Sequence, residues 1–337
     1  MTLLFMDSWD HYDDADLPNK WTVVGGTPEV NAGIGRNGTS GLLIAGSETI
    51  AKTYPGGNLT DVVVGVAFKA VGTLLGGAYT IIALLDSTTV QVDIRIDAGT
   101  GQLQLTRNGT LLATSVDSIN ADVFYYIEFK ANIANAGSAE VRVNEVAWIT
   151  FSGDTQSTAN AFTTGMRLGR GAGGINASYY DDLYIISNAG PPNNDYLGDI
   201  RVEAVLPDGA GNSTEWTPSA GANWQNVDDN PPDSDTSYNS SATASQQDTF
   251  SMADLVSTSG TIKGIQTLIY ARKDDAGART IRRVTRSGAT DYYGSNESIS
   301  AETYTYFIDI QETDPNTGAA WTIPNFNSSE AGVDLVA

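Results

Sequence analysis

The 337-residue chain has no cysteine and a single histidine, His11. Without thiols there is neither a disulfide framework nor a thiolate metal site, and one imidazole excludes multi-histidine zinc sites. It also leaves little for nucleophilic catalysis, since no G-x-S-x-G elbow supplies a serine. His11 is therefore expected to be structural. Basic residues are scarce: 18 Lys and Arg stand against 40 Asp and Glu, a net charge of −22. Such a charge repels phosphate backbones and anionic headgroups, so nucleic acid is not an expected partner. Long apolar runs are missing too. Nothing approaches the ~20 residues of a membrane span, so membrane insertion is not expected, and the start MTLLFMDSWDHYDD lacks the basic flank of a signal peptide. These absences point to a soluble chain, cytosolic or part of a particle assembled in the cytosol.

What is present is alternation with period two, punctuated by turn residues, which argues for an all-β chain with few, short helices. Strands are expected at Val62 to Phe68, Thr80 to Leu85, Val90 to Ile96, Tyr125 to Ala131, Glu140 to Val143, Ala147 to Phe151, Met166 to Leu168 and Tyr180 to Ile186. In the third, Val92, Ile94 and Ile96 share a core face and Asp93, Arg95 and Asp97 the wet one. Gln102 to Leu105 and Leu111 to Thr114 flank Asn108-Gly109, a pair that tolerates positive φ, and form a hairpin. The length fits two domains of about 150 to 190 residues. Prolines 191 and 192 in SNAGPPNND mark the break: residues 1–190, a linker 191–197, and residues 198–337. The second part is expected to hold strands at Ile200 to Leu206, Asp248 to Ser251, Ile262 to Lys273, Arg279 to Thr285, Asp291 to Tyr293 and Thr303 to Ile310. A hairpin turn at Lys273 to Gly277 would join the third and fourth of these, and the end from Gly318 onward would be irregular. The fold class is two antiparallel β-sandwiches, jelly-roll-like, in tandem.

Leu3 to Trp21 (LLFMDSWDHYDDADLPNKW) and Ser178 to Ile186 (SYYDDLYII) resemble the opening and closing strands of laminin-G/concanavalin-type lectin sandwiches found in tailed-bacteriophage virion proteins. The hairpin Gly101 to Thr114 and the strand pair AEVRVNEVAWITF extend the resemblance over roughly residues 1 to 190. Gly198 to Pro218 and Val227 to Ser241 resemble a companion module that follows such sandwiches. The resemblance implies a non-enzymatic structural component of a virion surface, on capsid, tail or fibre, working by contacts with other virion proteins. The alternatives are a receptor-binding lectin and a polysaccharide depolymerase.

Each candidate for chemistry stands beside a plainer reading. Two G-x-G-x-x-G segments, Gly33/Gly35/Gly38 and Gly169/Gly171/Gly174, are followed by strand-like sequence where a phosphate cradle needs a helix, so they read as turn glycines. Two RNGT tetrapeptides, at Arg36 and Arg107, read as similar turns. Paired carboxylates for glycoside hydrolysis are sought at Asp93/Asp97 and Asp309/Glu312/Asp314, but no E-x-D-x-E strand is present, so no catalytic residue is assigned. Calcium is the one cofactor left open, with Asp181, Asp182, Asp228 and Asp229 as candidates and Asp7/Asp10/Asp13/Asp14 and Asp233/Asp235 as weaker clusters, against Asx turns as the default. In YYDDLYI one Asp is expected to bond the backbone of an adjoining loop. Trp216, Trp224, Tyr238, Tyr292 and Tyr293 are the candidates for stacking on a host-surface glycan, with core packing the expected role of any single one.

Charge is unevenly placed. Between Asn188 and Ile262 there are eleven carboxylates and one base, Arg201, whereas Lys263 to Arg286 holds seven bases and two acids. The plainer reading is a solvated loop that precedes a solvated strand pair; the alternative is contact between the two stretches, within one subunit or between neighbours. A homo-oligomer, a trimer by preference, would use Arg282, Arg283, Arg286, Tyr304 and Tyr306 at its contact.

Overall fold

The structure, a computed structural model, describes residues 2–74, 77–97, 99–169 and 177–337. Gly171 and Gly174 of the second glycine motif lie outside the described residues. The chain divides into two compact units, Met1–Val202 and Glu203–Ala337. Both are antiparallel β-sandwiches.

Unit 1 begins with β1 (Leu3–Asp7), the single turn α1 (Leu17–Lys20), β2 (Val23–Gly25), β3 (Glu29–Asn31), β4 (Gly41–Ala45) and β5 (Thr49–Thr53). Next come β6 (Asp61–Val71), β7 (Ala78–Asp86), β8 (Thr89–Asp97), β9 (Gln102–Arg107) and β10 (Thr110–Ser118). It closes with β11 (Tyr125–Asn132), β12 (Gly137–Val143), β13 (Val146–Gly153), β14 (Gly165–Gly169) and β15 (Ala177–Ser187). Sheet 1 has the order β13-β12-β11-β6-β15-β4-β3, with β1 also on β15; sheet 2 runs β10-β9-β8-β7-β14-β5-β2. Alternation sorts the side chains as read from the sequence. Val92, Ile94 and Ile96 are fully buried, as are Val64, Val66, Phe68, Ile127 and Phe129 opposite them on sheet 1. The Asn108-Gly109 turn joins β9 to β10 with φ of 42° and 90°, and Asn37 and Gly38 adopt 58° and 79° in the other RNGT segment. The two tetrapeptides are the same kind of turn.

One irregularity reorganises sheet 1. In β15, Asp181 pairs with Ala67 but the next partner, Gly65, faces Tyr184, so two residues of β15 bulge past one of β6, with Asp182 at φ 51°. The bulge reverses which face later side chains take. Tyr180 points into the core against Phe68, while Tyr184 lies on the outer face over Gly65. Gly65 is required there, because a Cβ would sit 2.1 Å from the Tyr184 ring.

The division after Val202 lies beyond the expected linker. Residues 193–202 are tied to unit 1: Asn193 N donates to Thr2 Oγ1 (3.3 Å), Lys130 pairs with Asp195 (2.9 Å), and Gly198 N donates to Glu128 (2.9 Å).

Unit 2 contains β16 (Pro207–Thr214), β17 (Thr217–Pro218), β18 (Asn239–Ser240), β19 (Gln247–Met252), β20 (Ile265–Ala271) and β21 (Arg279–Ser287). It ends with β22 (Thr290–Tyr293), β23 (Glu297–Ile299), β24 (Thr305–Gln311), the single turn α2 (Ile323–Asn327) and β25 (Glu330–Leu335). The main sheet runs β16-β19-β25-β21-β22, with β23 on β21. Ile269, Ala271 and Phe307 of the separate β20-β24 ribbon pack on Ile281, Ile299 and Leu335 of that sheet. Three expectations need correction. Residues 200–206 form no strand, and β16 begins at Pro207 instead. Lys273 to Gly277 is not a hairpin turn, because β20 pairs with β24 and β21 with β25. The end is not irregular, since β25 lies between β19 and β21 and exchanges ladder bonds with both.

Candidate functional site

The outer face of sheet 1 gathers the groups best placed to meet a ligand. Register sets a row across four strands: Glu29 of β3, Leu43 of β4, Tyr179 of β15 and Lys69 of β6 are direct neighbours. The Lys69 ammonium lies 4.7 Å from the Tyr179 ring centre and 4.5 Å from that of Phe124, which precedes β11. All three side chains are half-buried. Among the described residues no carboxylate pairs with Lys69, although the chain carries 40 of them. An ammonium flanked by two ring faces is held by cation–π attraction with its outward donors free.

Two residues along β6, beyond Ala67, the floor becomes polar and buried. Arg36 lies 5.1 Å over Tyr126 and donates to Asp182 Oδ2 (2.6 Å), to Asp199 and to the carbonyl of Ile200. Asp181 accepts from Arg36 N (2.7 Å), Asp182 N (2.7 Å) and Thr39 Oγ1 (3.2 Å), while Asp182 accepts from Val202 N (2.7 Å). Burial, and for Asp181 the adjacent Asp182, raises both carboxyl pKa values above the usual range. Further along, Glu128 of β11 accepts from Tyr184 Oη and Gly198 N, and burial raises its pKa as well. Arg142 of β12 pairs with Glu140 (2.6 Å) and stacks 3.8 Å from the Tyr196 ring centre.

Most of the carboxylates considered for calcium are engaged by donors of the protein itself. Asp181 and Asp182 accept hydrogen bonds from protein donors, Arg36 N and Thr39 Oγ1 on the first and the Arg36 guanidinium and Val202 N on the second. In unit 2, Asp229 and Asp233 cap Ser237 (2.8 and 3.0 Å), Asp235 pairs with Arg272 (2.8 Å), and Asp228 is half-buried. Asp7 is in a buried ion pair, Asp10 accepts from Ser40 N (2.8 Å), Asp13 caps Ala15 (2.9 Å) and Asp14 accepts from Val30 N. Among the described residues no group of three or more carboxylate or histidine ligands converges on a point where a metal would sit.

Nor do the paired carboxylates form a cleft. Asp93 was expected on a wet face but is 1% exposed, accepting from Thr80 (3.2 Å), Thr106 and Arg95; Asp97 accepts from Gly99 N (2.9 Å) and Gln104 (3.2 Å). Asp309 pairs with Arg283 (2.8 Å). Burial pushes the Asp314 carboxyl up, but Ser287, Asn316, Asn325 and Thr317 donate to it and hold it below its ordinary value. A cleft of about 380 Å³ between residues 72–74, 99–101 and 118–121 is lined by no charged side chain among the described residues.

The arginines read as an oligomer contact have counter-charges inside unit 2. Arg282 pairs with Asp334 (2.6 Å), Arg283 with Asp309, and Arg286 with Asp291 (2.6 Å). The acidic and basic stretches meet within the subunit at Asp235–Arg272, where Tyr304 Oη also donates to Asp235 (2.9 Å). Tyr304 and Tyr306 flank Tyr270 at 4.9 and 4.6 Å, forming a half-buried aromatic cluster. Of the aromatics named for glycan stacking, Trp216 packs on the core cluster and Tyr292 bonds Asn316 (3.4 Å). Trp224 is half-buried, Tyr238 is 41% exposed, and Tyr293 is 45% exposed with Arg282 over its face at 3.9 Å. The sequence reading missed Lys69, Phe124 and Tyr179. The available signal was a lone lysine at an outward position of the otherwise apolar strand VVVGVAFKAV.

No family model matches the chain, and no curated protein matches it. Among solved structures it is similar to an endo-beta-1,4-glucuronan lyase from the fungus Trichoderma reesei, at 13% identity over 54% of this chain and 94% of that one, with a TM-score of 0.43. It is also similar to the cellulose-induced protein Cip1 (15% identity, 54% and 96%, TM-score 0.42). An alginate lyase, Aly36B, follows (12% identity, 54% and 95%, TM-score 0.40). These findings correct one expectation. The reading as a non-enzymatic virion component acting through protein contacts is set aside, the similar structures including polysaccharide lyases.

Proposed function

We propose that unit 1 is a carbohydrate-binding β-sandwich whose outer sheet face holds a saccharide at Phe124, Lys69 and Tyr179. The observation that carries this is Lys69: an ammonium between two half-buried rings, with no carboxylate partner among the described residues of a chain of net charge −22. A pyranose offers the complementary surface. Its C–H face packs on the rings, and its hydroxyl or carboxylate oxygens accept from the ammonium. Glu29 at the end of the row adds an acceptor for hydroxyls.

A glycan array on the whole protein, followed by calorimetry on its hits, tests the reading. Saccharide binding that falls at least ~tenfold in Lys69→Ala and in Tyr179→Ala, the loss of ~1.4 kcal/mol expected of one such contact, supports it. A protein that binds no saccharide, or one whose affinity ignores both changes, overturns it. Scanning the same mixtures for new reducing or unsaturated sugar ends decides whether binding is followed by cleavage.

A further inference from the structure

The polar half of the same face is occupied by the protein's own chain. Residues 195–202 have no regular secondary structure and not one of them is buried, yet beneath them Tyr126, Glu128, Asp182 and Tyr184 are at most 2% exposed. The strap presents a defined chemistry to this floor. Carboxylates of Asp195 and Asp199 meet Lys130 and Arg36, and the Tyr196 ring lies against Arg142. Backbone N–H groups of Leu197, Gly198 and Val202 donate to Tyr184 Oη (3.1 Å), Glu128 Oε1 (2.9 Å) and Asp182 Oδ1 (2.7 Å). Glu128 Oε2 is buried and accepts no hydrogen bond among the described residues, an acceptor that the strap leaves unused. An irregular cover that buries so little apolar surface of its own opens at lower cost than the sheet it covers.

We infer that residues 195–202 are a built-in occupant of a saccharide cleft, and that a saccharide chain bearing carboxylates displaces them. This rests on the reading of the outer face as carbohydrate-binding. A polyuronate supplies the polar chemistry that the strap supplies, carboxylates for Lys130 and Arg36 and hydroxyl donors for Glu128, Asp182 and Tyr184, and its carboxylates pair with the Arg142 guanidinium where the strap offers the Tyr196 ring. It also has the surplus hydroxyls to satisfy Glu128 Oε2. The cleft continues the platform, because Lys69, Ala67 and Gly65 follow one another on the same face at about 7 Å per step. A chain seated on Lys69 therefore runs onto the strap.

The strap can be loosened without touching the floor. Gly198 has φ +81°, a backbone conformation that any Cβ strains, so Gly198→Ala combined with Tyr196→Ala disfavours the closed form. Asp195→Asn with Asp199→Asn is the milder second variant, altering two half-exposed side chains. The whole protein and both variants are titrated with an oligogalacturonate and its methyl ester by calorimetry, while amide exchange is followed at Leu197, Gly198 and Val202. If the open form is populated at roughly one part in ten, release tightens oligogalacturonate binding ~tenfold. The gain should vanish with the methyl ester and on adding Arg142→Ala, and in the unmodified protein the oligomer should speed exchange at the three amides. Variants that stay folded yet bind with unchanged affinity, or amides whose exchange ignores the oligomer, overturn the inference. Failure of the platform reading shows separately, as unmodified protein whose affinity is insensitive to Lys69→Ala.

Discussion

Lys20 Nζ lies 2.9 Å from Asp7 Oδ1, and neither side chain reaches solvent. Asp7 follows Phe5 onto the inner face of sheet 1, and the turn Leu17–Lys20 brings the ammonium to it. Tyr12 Oη and Trp21 Nε1 donate to the second carboxylate oxygen (2.7 and 3.0 Å), and His11 Nε2 is 2.9 Å from the ammonium. The pair closes the sandwich end with its polar valences filled, which is the condition under which a buried ion pair is tolerated.

Removing one partner should therefore cost more than removing both. Lys20→Met leaves Asp7 charged and buried, and is expected to destabilise unit 1 by about 3–5 kcal/mol. Lys20→Met with Asp7→Leu should recover a substantial part of that loss. Urea denaturation of the three proteins checks it.

Acid and base act on this end in opposite senses. Burial and the neighbouring Lys20 push the His11 pKa down to about 3 from 6.5, against the pull of Asp7. Between those values the unfolded chain binds a proton that the folded chain does not, so this group makes stability fall as pH falls through the window. Asp10 is pushed the other way, up to about 6 from 3.8, chiefly by burial. There the folded chain holds the proton, so its contribution is lost as pH rises from 3.8 through 6. His11→Gln should flatten the acid limb of the stability profile and Asp10→Asn should remove the opposing slope, read as urea midpoints across the window.

Gly65→Ala should displace the Tyr184 ring and cost about 1–3 kcal/mol, the penalty of overpacking a filled site. Because Tyr184 also accepts from Leu197 N, faster amide exchange at Leu197 should accompany the loss.

The arginines of unit 2 should separate by burial. Arg283, 6% exposed against Asp309, is expected to cost roughly 3 kcal/mol when replaced by Ala. Arg279, a third exposed against Asp275, should cost less than about 1 kcal/mol. Thermal melting of the two variants decides it.

The all-β class, the positions of most strands in unit 1 and the Asn108-Gly109 hairpin were legible in the sequence, because alternation and turn chemistry are local. Val92, Ile94 and Ile96 needed nothing else to find the core. What stayed hidden depends on partners distant in the chain. The segment PDGAGNST has poor strand propensity and becomes β16 by pairing with β19. The C-terminal Glu330–Leu335 becomes a central strand because β19 and β21 both present unpaired backbone to it. Asp93 looked solvated by alternation, yet Thr80, Thr106 and Arg95 converge on it from neighbouring positions. The candidate site shows the same division. Lys69, Tyr179 and Phe124 are spread over 111 residues of sequence and adjoin only through the register of β6 with β15 and the approach of the chain before β11. Local spacing determines which face a side chain takes; sheet pairing and one bulge in β15 determine what it meets there.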